Sequence, residues 1–494
     1  MTNILPNTQT AVTQHSTNHP TPRRRVIVLG AGISGLSAAY YLAKESPEIE
    51  LSVWEKSVSP GGVLTTVHNN GFQIERSADN FITTEPWAID LCKEIGLGND
   101  IVPTDTKFRR TFVVHRGKLY PLPDGFLMMA PTRLLPLATT PLLSPFGKLR
   151  AGLELLLPRH EKQDESIEHF VSRRLGREVY ENIVEPLASG IYAGDSKRLS
   201  VWATLPRFPQ MEVNHRSLIL AVRKQMKAAR TFKKETESGA RYSFFVAMRS
   251  GLSNMAATLA DRLPPGTLQT SREAASLHRK TREDGAPVWI VTDIHGNSQE
   301  CDALICALPS PEVAELFAEI SPEIATCCGQ IEHSGAAVLT VALRTDQITR
   351  PMNGMGFVVP EKEGLGLIAG SFSSYKYPHR APEGTVLLRL FAGGSRMPDL
   401  PLEPDDILVP RILAELRPLL GLRGDPLFVD VARWPNVMPQ YNIGHLDLIA
   451  RLERELERIP ELALAGNAFY GVGIPSCIHS GRLAAERVTR ASGP

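Results

Sequence analysis

The chain has 494 residues, 43% of them hydrophobic and 22% charged, with a formal net charge of +1. That length exceeds one ordinary hydrophobic core and predicts a globular protein of two or three lobes. The near-neutral balance gives no argument for nucleic acid or another polyanion as a partner.

Residues 1–22 are rich in Thr, Asn, Pro, Gln and His and lack an apolar run, so they read as a disordered tail with no signal peptide. Val26–Leu29 is a continuous apolar run ending in glycine, as in a buried parallel strand. Ser34–Lys44 reads as the following helix and Leu51–Glu55 as the next strand, which makes a βαβ unit. Its turn, Gly30-Ala31-Gly32-Ile33-Ser34-Gly35, has the G-x-G-x-x-G spacing. Gly30 permits the tight turn, Gly32 lets backbone approach a pyrophosphate, and Gly35 allows close strand–helix packing. The pyrophosphate then rests on a helix N-terminus, where free N–H groups favour an anion. Glu55, followed by Lys56, ends the second strand, where a carboxylate accepts bonds from ribose hydroxyls and disfavours a 2′-phosphate. FAD or NAD is therefore expected ahead of NADP, and the double glycine Gly61-Gly62, with Val63 behind it, moves the expectation to FAD.

Residues 121–157 are dense in Leu, Met and Ala, but Pro131, Pro136, Pro141 and Pro145 interrupt them and forbid a spanning helix. Two readings stand: an interfacial, membrane-touching element with Arg133, Lys148 and Arg150 at headgroup level, or a buried loop with short helices. Residues 166–187 carry an apolar stripe at helical spacing, from Ile167 to Leu187. Residues 231–243 are polar and basic and read as a loop. Val288–Val291, Asp302–Leu308, residues 336–344 and Thr385–Phe391 read as strands, the last two in a second sheet. Leu462–Gly466 returns to a buried strand and residues 476–490 close with a helix. Between them, Gly466, Asn467, Gly471, Val472, Gly473 and Ile474 leave exposed backbone N–H groups and a helix N-terminus for the isoalloxazine carbonyls. The six cysteines form no C-x-x-C pair and fit a reduced, cytoplasmic setting.

From about residue 25 to 490 the chain resembles the protoporphyrinogen/coproporphyrinogen oxidases, flavin enzymes of haem biosynthesis within the amine oxidase superfamily. The most specific stretch is Val184-Glu185-Pro186-Leu187-Ala188-Ser189-Gly190-Ile191-Tyr192-Ala193-Gly194-Asp195. Further matches are Gly117–Pro123, Gly356–Pro360, Arg380–Gly384, Arg433-Trp434, Met438–Tyr441 and Gly471–Pro475. Four departures stand out. Val63 replaces the arginine usual in amine oxidases, which argues against an amine substrate. Ser77-Ala78, followed by Asp79-Asn80, replaces a Gly-Pro at a flavin contact. Ser476 replaces an aspartate, and Ala274 a valine whose main chain meets the adenine.

The resemblance implies an α/β fold, α+β in the second lobe. A Rossmann-like FAD domain is expected from residues 23–99, 245–330 and 431–494, a mixed-sheet substrate domain from 100–120 and 331–430, and a helical, membrane-facing subdomain from 121–244. It implies three two-electron oxidations of a porphyrinogen, with molecular oxygen as acceptor and peroxide released. It also implies Trp434 near the flavin, Arg110 (or Arg109) on a propionate, Gly190 beside the macrocycle and Tyr377 stacked on a pyrrole ring. A peripheral membrane contact at the cytoplasmic face, handover to the next haem-pathway enzyme and a homodimer are compatible with it. Another flavin amine oxidase or desaturase, or a flavin-binding scaffold without turnover, are the rival readings.

Overall fold

A computed structural model describes residues 23–105, 107–108, 110–160, 163–232 and 244–490. The expected tail 1–22, Arg109 and all but the first two residues of the expected loop 231–243 lie outside the described residues.

The N-terminal unit forms as its pattern dictates. Strand β1 (Arg25–Leu29) is almost wholly buried, helix α1 (Ile33–Glu45) follows, and strand β2 (Glu50–Trp54) pairs parallel with β1. Ala303–Cys306 and Leu462–Leu464 extend this parallel sheet on one side, and Leu268–Gln269 on the other. One face is covered by α1 and the C-terminal helix Ile474–Arg490, which share a hydrophobic core. The two helices approach so closely that a Cβ at Gly481 would lie 2.2 Å from the Ser34 carbonyl oxygen. The other face carries an antiparallel three-stranded sheet, Ala274–Thr281, Pro287–Asp293 and Ser298–Cys301. All six cysteines are buried and free.

A second, seven-stranded sheet runs in the order Phe428–Pro439, His333–Arg344, Thr385–Gly393, Leu367–Phe372, Gly356–Val358, Thr111–His115, Lys118–Pro121. It is antiparallel except where Gly356–Val358 runs parallel to Thr111–His115. Helix Asp405–Leu420 covers one face through Leu408, Ile412, Leu416 and Leu420. The chain therefore has the mixed α/β architecture expected, with a Rossmann-like sheet and a mixed second sheet.

A third cluster of helices, between residues 134 and 232, has its own core. The apolar stripe over 166–187 does not form one helix. Ile167–Leu175 stops at Gly176, whose φ of +97° is left-handed, and the chain resumes through a wider π turn at Tyr180–Val184 before helix Glu185–Tyr192. The Arg150 guanidinium donates to the carbonyls of Ser172, Arg173 and Arg174, satisfying the open end of the first piece. That side chain is thus committed inside the lobe rather than available at a headgroup. No helix among the described residues is long and apolar enough to cross a membrane.

Candidate functional site

The βα turn sets one end of the site. The Gly30 N–H donates to the Trp54 carbonyl (2.8 Å) with φ at +91°, and a Cβ there would meet the Ala307 carbonyl oxygen at 2.7 Å. Gly32 caps α1 with no side-chain hydrogen bond and no acidic residue in the first turn, and a Cβ built on it meets only open space. The first N–H groups of α1 are left for an external anion, and the space beside Gly32 admits one. Ile33 and Ser34 are buried, so their contribution here is backbone.

Glu55 is 6% exposed, and its two oxygens accept from the Ala31 and Ser57 N–H groups, both at 2.8 Å. Those bonds fix the carboxylate at the tip of β2, where its remaining lone pairs can take ribose hydroxyls. Gly61 donates to the Ala31 carbonyl (2.8 Å), and a Cβ at Gly62 would lie 3.3 Å from the Gly32 Cα, so the double glycine passes directly over the turn. Lys56 pairs with Glu312 at 2.7 Å on the rim. Ala274 opens the strand beside it and is half-buried. These residues fit an adenosine diphosphate moiety. Glu55→Gln is expected to weaken FAD binding about tenfold, the worth of one charge-assisted hydrogen bond, measured by titrating apoprotein with FAD.

Some 400 residues later the chain returns to the same sheet. Gly466 (φ +138°) donates to the Ser480 hydroxyl. The Asn467 carbonyl accepts from the Tyr441 hydroxyl (2.5 Å), which in turn accepts from the Gly471 N–H (2.9 Å). Val472 and Gly473 then lead into the C-terminal helix at Ile474. Ser476 donates to Glu85 at 3.0 Å, so a carboxylate reaches the first turn of this helix from another segment. Facing it, Ser77 donates to the Val63 carbonyl, Ala78 packs on the core that holds Ile474, and Trp434 Nε1 donates to the Arg76 carbonyl (2.6 Å). The geometry thus gathers residues 62–63, 77–80, 434 and 466–474 around one end of the parallel sheet.

Asp79 is buried with three cations. Lys376 Nζ lies 2.8 Å from it, Arg380 3.0 Å and Arg389 3.2 Å. Burial opposes its charge, but the three cations prevail and hold the carboxyl well below the usual carboxylate range.

An apolar cluster lies beside these segments. Gly190 is exposed at the end of its helix, and a Cβ there would lie 3.3 Å from Val358 and 3.7 Å from Ala369. Phe391 and Val472 pack half-buried against the cluster that contains Val358, Ala369 and Tyr192. Arg110 is exposed, and its carbonyl accepts from the Met355 N–H at 2.7 Å. It precedes Thr111, two register positions before the Val113–Val358 pair. Tyr377 is placed elsewhere: only 1% exposed, it packs with Val102 and Ala247 under the Arg380 guanidinium, 4.3 Å away. A covered ring cannot stack on a macrocycle. Phe391, half-buried against the cluster around Val358 and Ala369, is an aromatic that sequence reasoning passes over inside an apolar strand.

Behind the Tyr441 hydroxyl relay, the Tyr441 ring stacks on His445 (centroids 4.0 Å apart, 12° between planes). Neither His445 ring nitrogen has a partner among the described residues, and burial lowers its pKa to about 4, with Asp164 opposing weakly. The unfolded chain takes up this proton first, near pH 6.5, so the stability His445 contributes is complete above that pH and is lost as pH falls toward 4. Thermal unfolding between pH 7.5 and 5 should show this acid loss, up to about 3 kcal/mol by pH 4, and His445→Phe should flatten it.

A dinucleotide sheet closed by the last segment of the chain, with a mixed-sheet lobe over its carboxyl end, defines a flavin-dependent oxidoreductase. The sequence profile of the flavin containing amine oxidoreductases matches residues 33–489, and the chain belongs to that family. It is 32% identical over 472 residues to the coproporphyrinogen III oxidase of Bacillus subtilis, covering 94% of this chain and 97% of that one. It is 30% identical to the chloroplastic protoporphyrinogen oxidase of Nicotiana tabacum, covering 94% and 85%. A crystal structure of a candidate protoporphyrinogen oxidase from Exiguobacterium sp. 255-15 superposes with a TM-score of 0.82 at 29% identity, covering 95% of this chain and all of that one. UDP-galactopyranose mutase, at 15% identity and a TM-score of 0.68, shares the fold alone.

Proposed function

We propose that this chain oxidises a porphyrinogen in haem biosynthesis, with coproporphyrinogen III as its preferred substrate and molecular oxygen as the final acceptor. The observation that carries this is full-length similarity to coproporphyrinogen III oxidases, 31–32% identical over 97–99% of two bacterial proteins. Protoporphyrinogen oxidases stand at 25–30%.

FAD, when bound, supplies the hydride acceptor for three successive two-electron oxidations and passes the electrons to oxygen as peroxide. The chain's own residues bind and orient. Gly30–Gly35 and Glu55 hold the adenosine diphosphate end. Residues 62–63, 77–80, 434 and 466–474 frame the flavin end. Gly190, Val358, Ala369, Phe391 and Val472 offer an apolar wall to the tetrapyrrole face, with the bare backbone of Gly190 packed close on Val358. Arg110 offers a cation to a propionate at the rim. No side chain is required as nucleophile, because the site's task is to present a meso carbon and exclude water.

The test feeds each porphyrinogen to FAD-loaded protein and follows porphyrin fluorescence. Growth with both, faster with coproporphyrinogen III, is expected. No growth above autoxidation with either overturns the reading, and faster turnover of protoporphyrinogen overturns the preference.

Contact with a lipid surface belongs to the same reading. Leu135, Phe146, Leu149 and Leu156 are 66–84% exposed on the short helices Leu134–Thr139 and Pro145–Gly152 and the turn that follows. The double variant Phe146→Ser/Leu149→Ser should lower the fraction floating with anionic liposomes about tenfold or more, since each buried side chain is worth about 1.5–3 kcal/mol.

A further inference from the structure

Residues 75–80 lead from the end of strand Phe72–Glu75, paired with Thr66–Asn69 in a two-stranded sheet, to the flavin end of the site, and side chains from distant strands hold their carbonyls. Arg389 Nε donates to the Glu75 carbonyl at 3.0 Å, and its Nη2 donates to that of Ser77. Arg380 Nη2 donates to the Asp79 carbonyl at 2.6 Å, and Trp434 takes that of Arg76. The main-chain N–H groups of Ser77, Ala78, Asp79 and Asn80 meet no acceptor among the described residues. A peptide whose carbonyls are anchored on one side presents its amides elsewhere, and on this half-buried segment they are open to an acceptor. Arg380 and Arg389 are 0–1% exposed, and both bind the Asp79 carboxylate, as does Lys376. Arg389 also lies 5.2 Å over the Phe391 ring, which packs on the cluster around Val358 and Ala369.

We propose that Arg389, Arg380 and Lys376, assembled on Asp79, are positioning residues that turn the 77–80 amides toward the flavin and favour its reduced, more negatively charged form. Fixed donors and nearby cations aimed at the place where negative charge develops stabilise it without reorganisation. The fork of Arg389 is the critical part, because it holds two carbonyls and one carboxylate oxygen in a single plane, a geometry that an ammonium cannot reproduce. The inference rests on the reading that 77–80 meets the flavin, and it needs no porphyrinogen.

The test is equilibrium reduction of FAD-loaded protein against a reference dye, without substrate. Arg389→Lys keeps the charge and loses the fork, while Lys376→Met loses the charge and leaves both guanidinium clamps. Each should shift the reduction equilibrium toward oxidised flavin about tenfold, the scale of one charge-assisted hydrogen bond. FAD content should stay at one per chain. An unchanged equilibrium in either FAD-bound variant overturns the proposal. Should Arg389→Lys not fold, Lys376→Met carries the decision alone. Wild-type protein that titrates normally but turns over no porphyrinogen would sink the substrate reading and leave this one standing.

Discussion

Gly35→Ala is expected to give a colourless protein. A Cβ at this position lies 1.9 Å from the Gly30 carbonyl oxygen and 3.2 Å from the Ala307 Cβ, and neither is a flexible side-chain end. Helix α1 must therefore move off β1. That movement takes Gly30 from its bond to Trp54 and Ala31 from its bond to Glu55, the two contacts that set the turn. Overpacking of this kind costs about 1–3 kcal/mol, a tenfold to hundredfold loss of FAD affinity if it falls on the bound state. The unfolding temperature should drop as well, because the same contact closes the core of the parallel sheet. Gly32→Val separates the two effects. Gly32 has an ordinary φ of −69° and faces open space, so the fold accepts a side chain there. The isopropyl group then stands where the pyrophosphate belongs. Thermal unfolding of the apoprotein should be unchanged while FAD affinity falls. Gly35→Ala protein that purifies yellow with wild-type affinity would refute this account of the turn.

The parts of the molecule legible in sequence are those where backbone geometry leaves no choice of residue. Gly30, Gly35 and Gly62 sit where a Cβ meets backbone or φ is left-handed, and such demands write themselves as glycines at fixed spacing. The buried strands at 26–29, 303–306 and 462–464 are legible for a related reason, since a sheet covered on both faces needs continuous apolar runs. What depends on side-chain direction or distant partners is not. Phe391 lies in the strand Thr385–Gly393, where seven of nine residues are buried, so alternation does not reveal that its ring stays half-buried on the Val358 and Ala369 side. Tyr377 carries the opposite lesson: an aromatic at a suggestive position is covered by an arginine three residues on. The resemblance sets Asp79 at the flavin contact but is silent on its three cations, because Lys376, Arg380 and Arg389 are about 300 residues away and no local pattern connects them. The stripe over 166–187 keeps helical spacing through a glycine that the backbone uses to turn, which is why the spacing does not show the break between Leu175 and Arg177 or the π turn that follows.

Glu154→Ala should unfold the helical lobe while the flavin site persists. Glu154 is fully buried, and so is its partner Arg174. The carboxylate does two jobs. It pairs with the Arg174 guanidinium, and it accepts from the Ser217 hydroxyl (2.6 Å) and the Leu218 N–H (2.8 Å), capping the start of helix Leu218–Phe232. Arg174 in turn donates to the carbonyls of Pro158, Glu154 and Arg216, tying three loops together. Glu212 also accepts from Arg174, at 3.4 Å, but it is shared with Arg173 at 2.7 Å and makes none of Glu154's bonds to Ser217 and Leu218. Removing one member of a buried pair leaves an uncompensated charge and costs about 3–5 kcal/mol. Because the chain has several cores, that loss should appear as an early transition and not as a uniform shift. Limited proteolysis should cut within residues 134–232 at a temperature where bound FAD still protects the parallel sheet. Adding Arg174→Met removes the orphaned cation, and the double variant should recover much of the loss, since an apolar replacement of a buried pair is often near neutral. If the two substitutions destabilise additively, the pair is not what holds this lobe. The approach of Gly190 to Val358 then depends on something else, since it persists only while the helices behind it keep their packing.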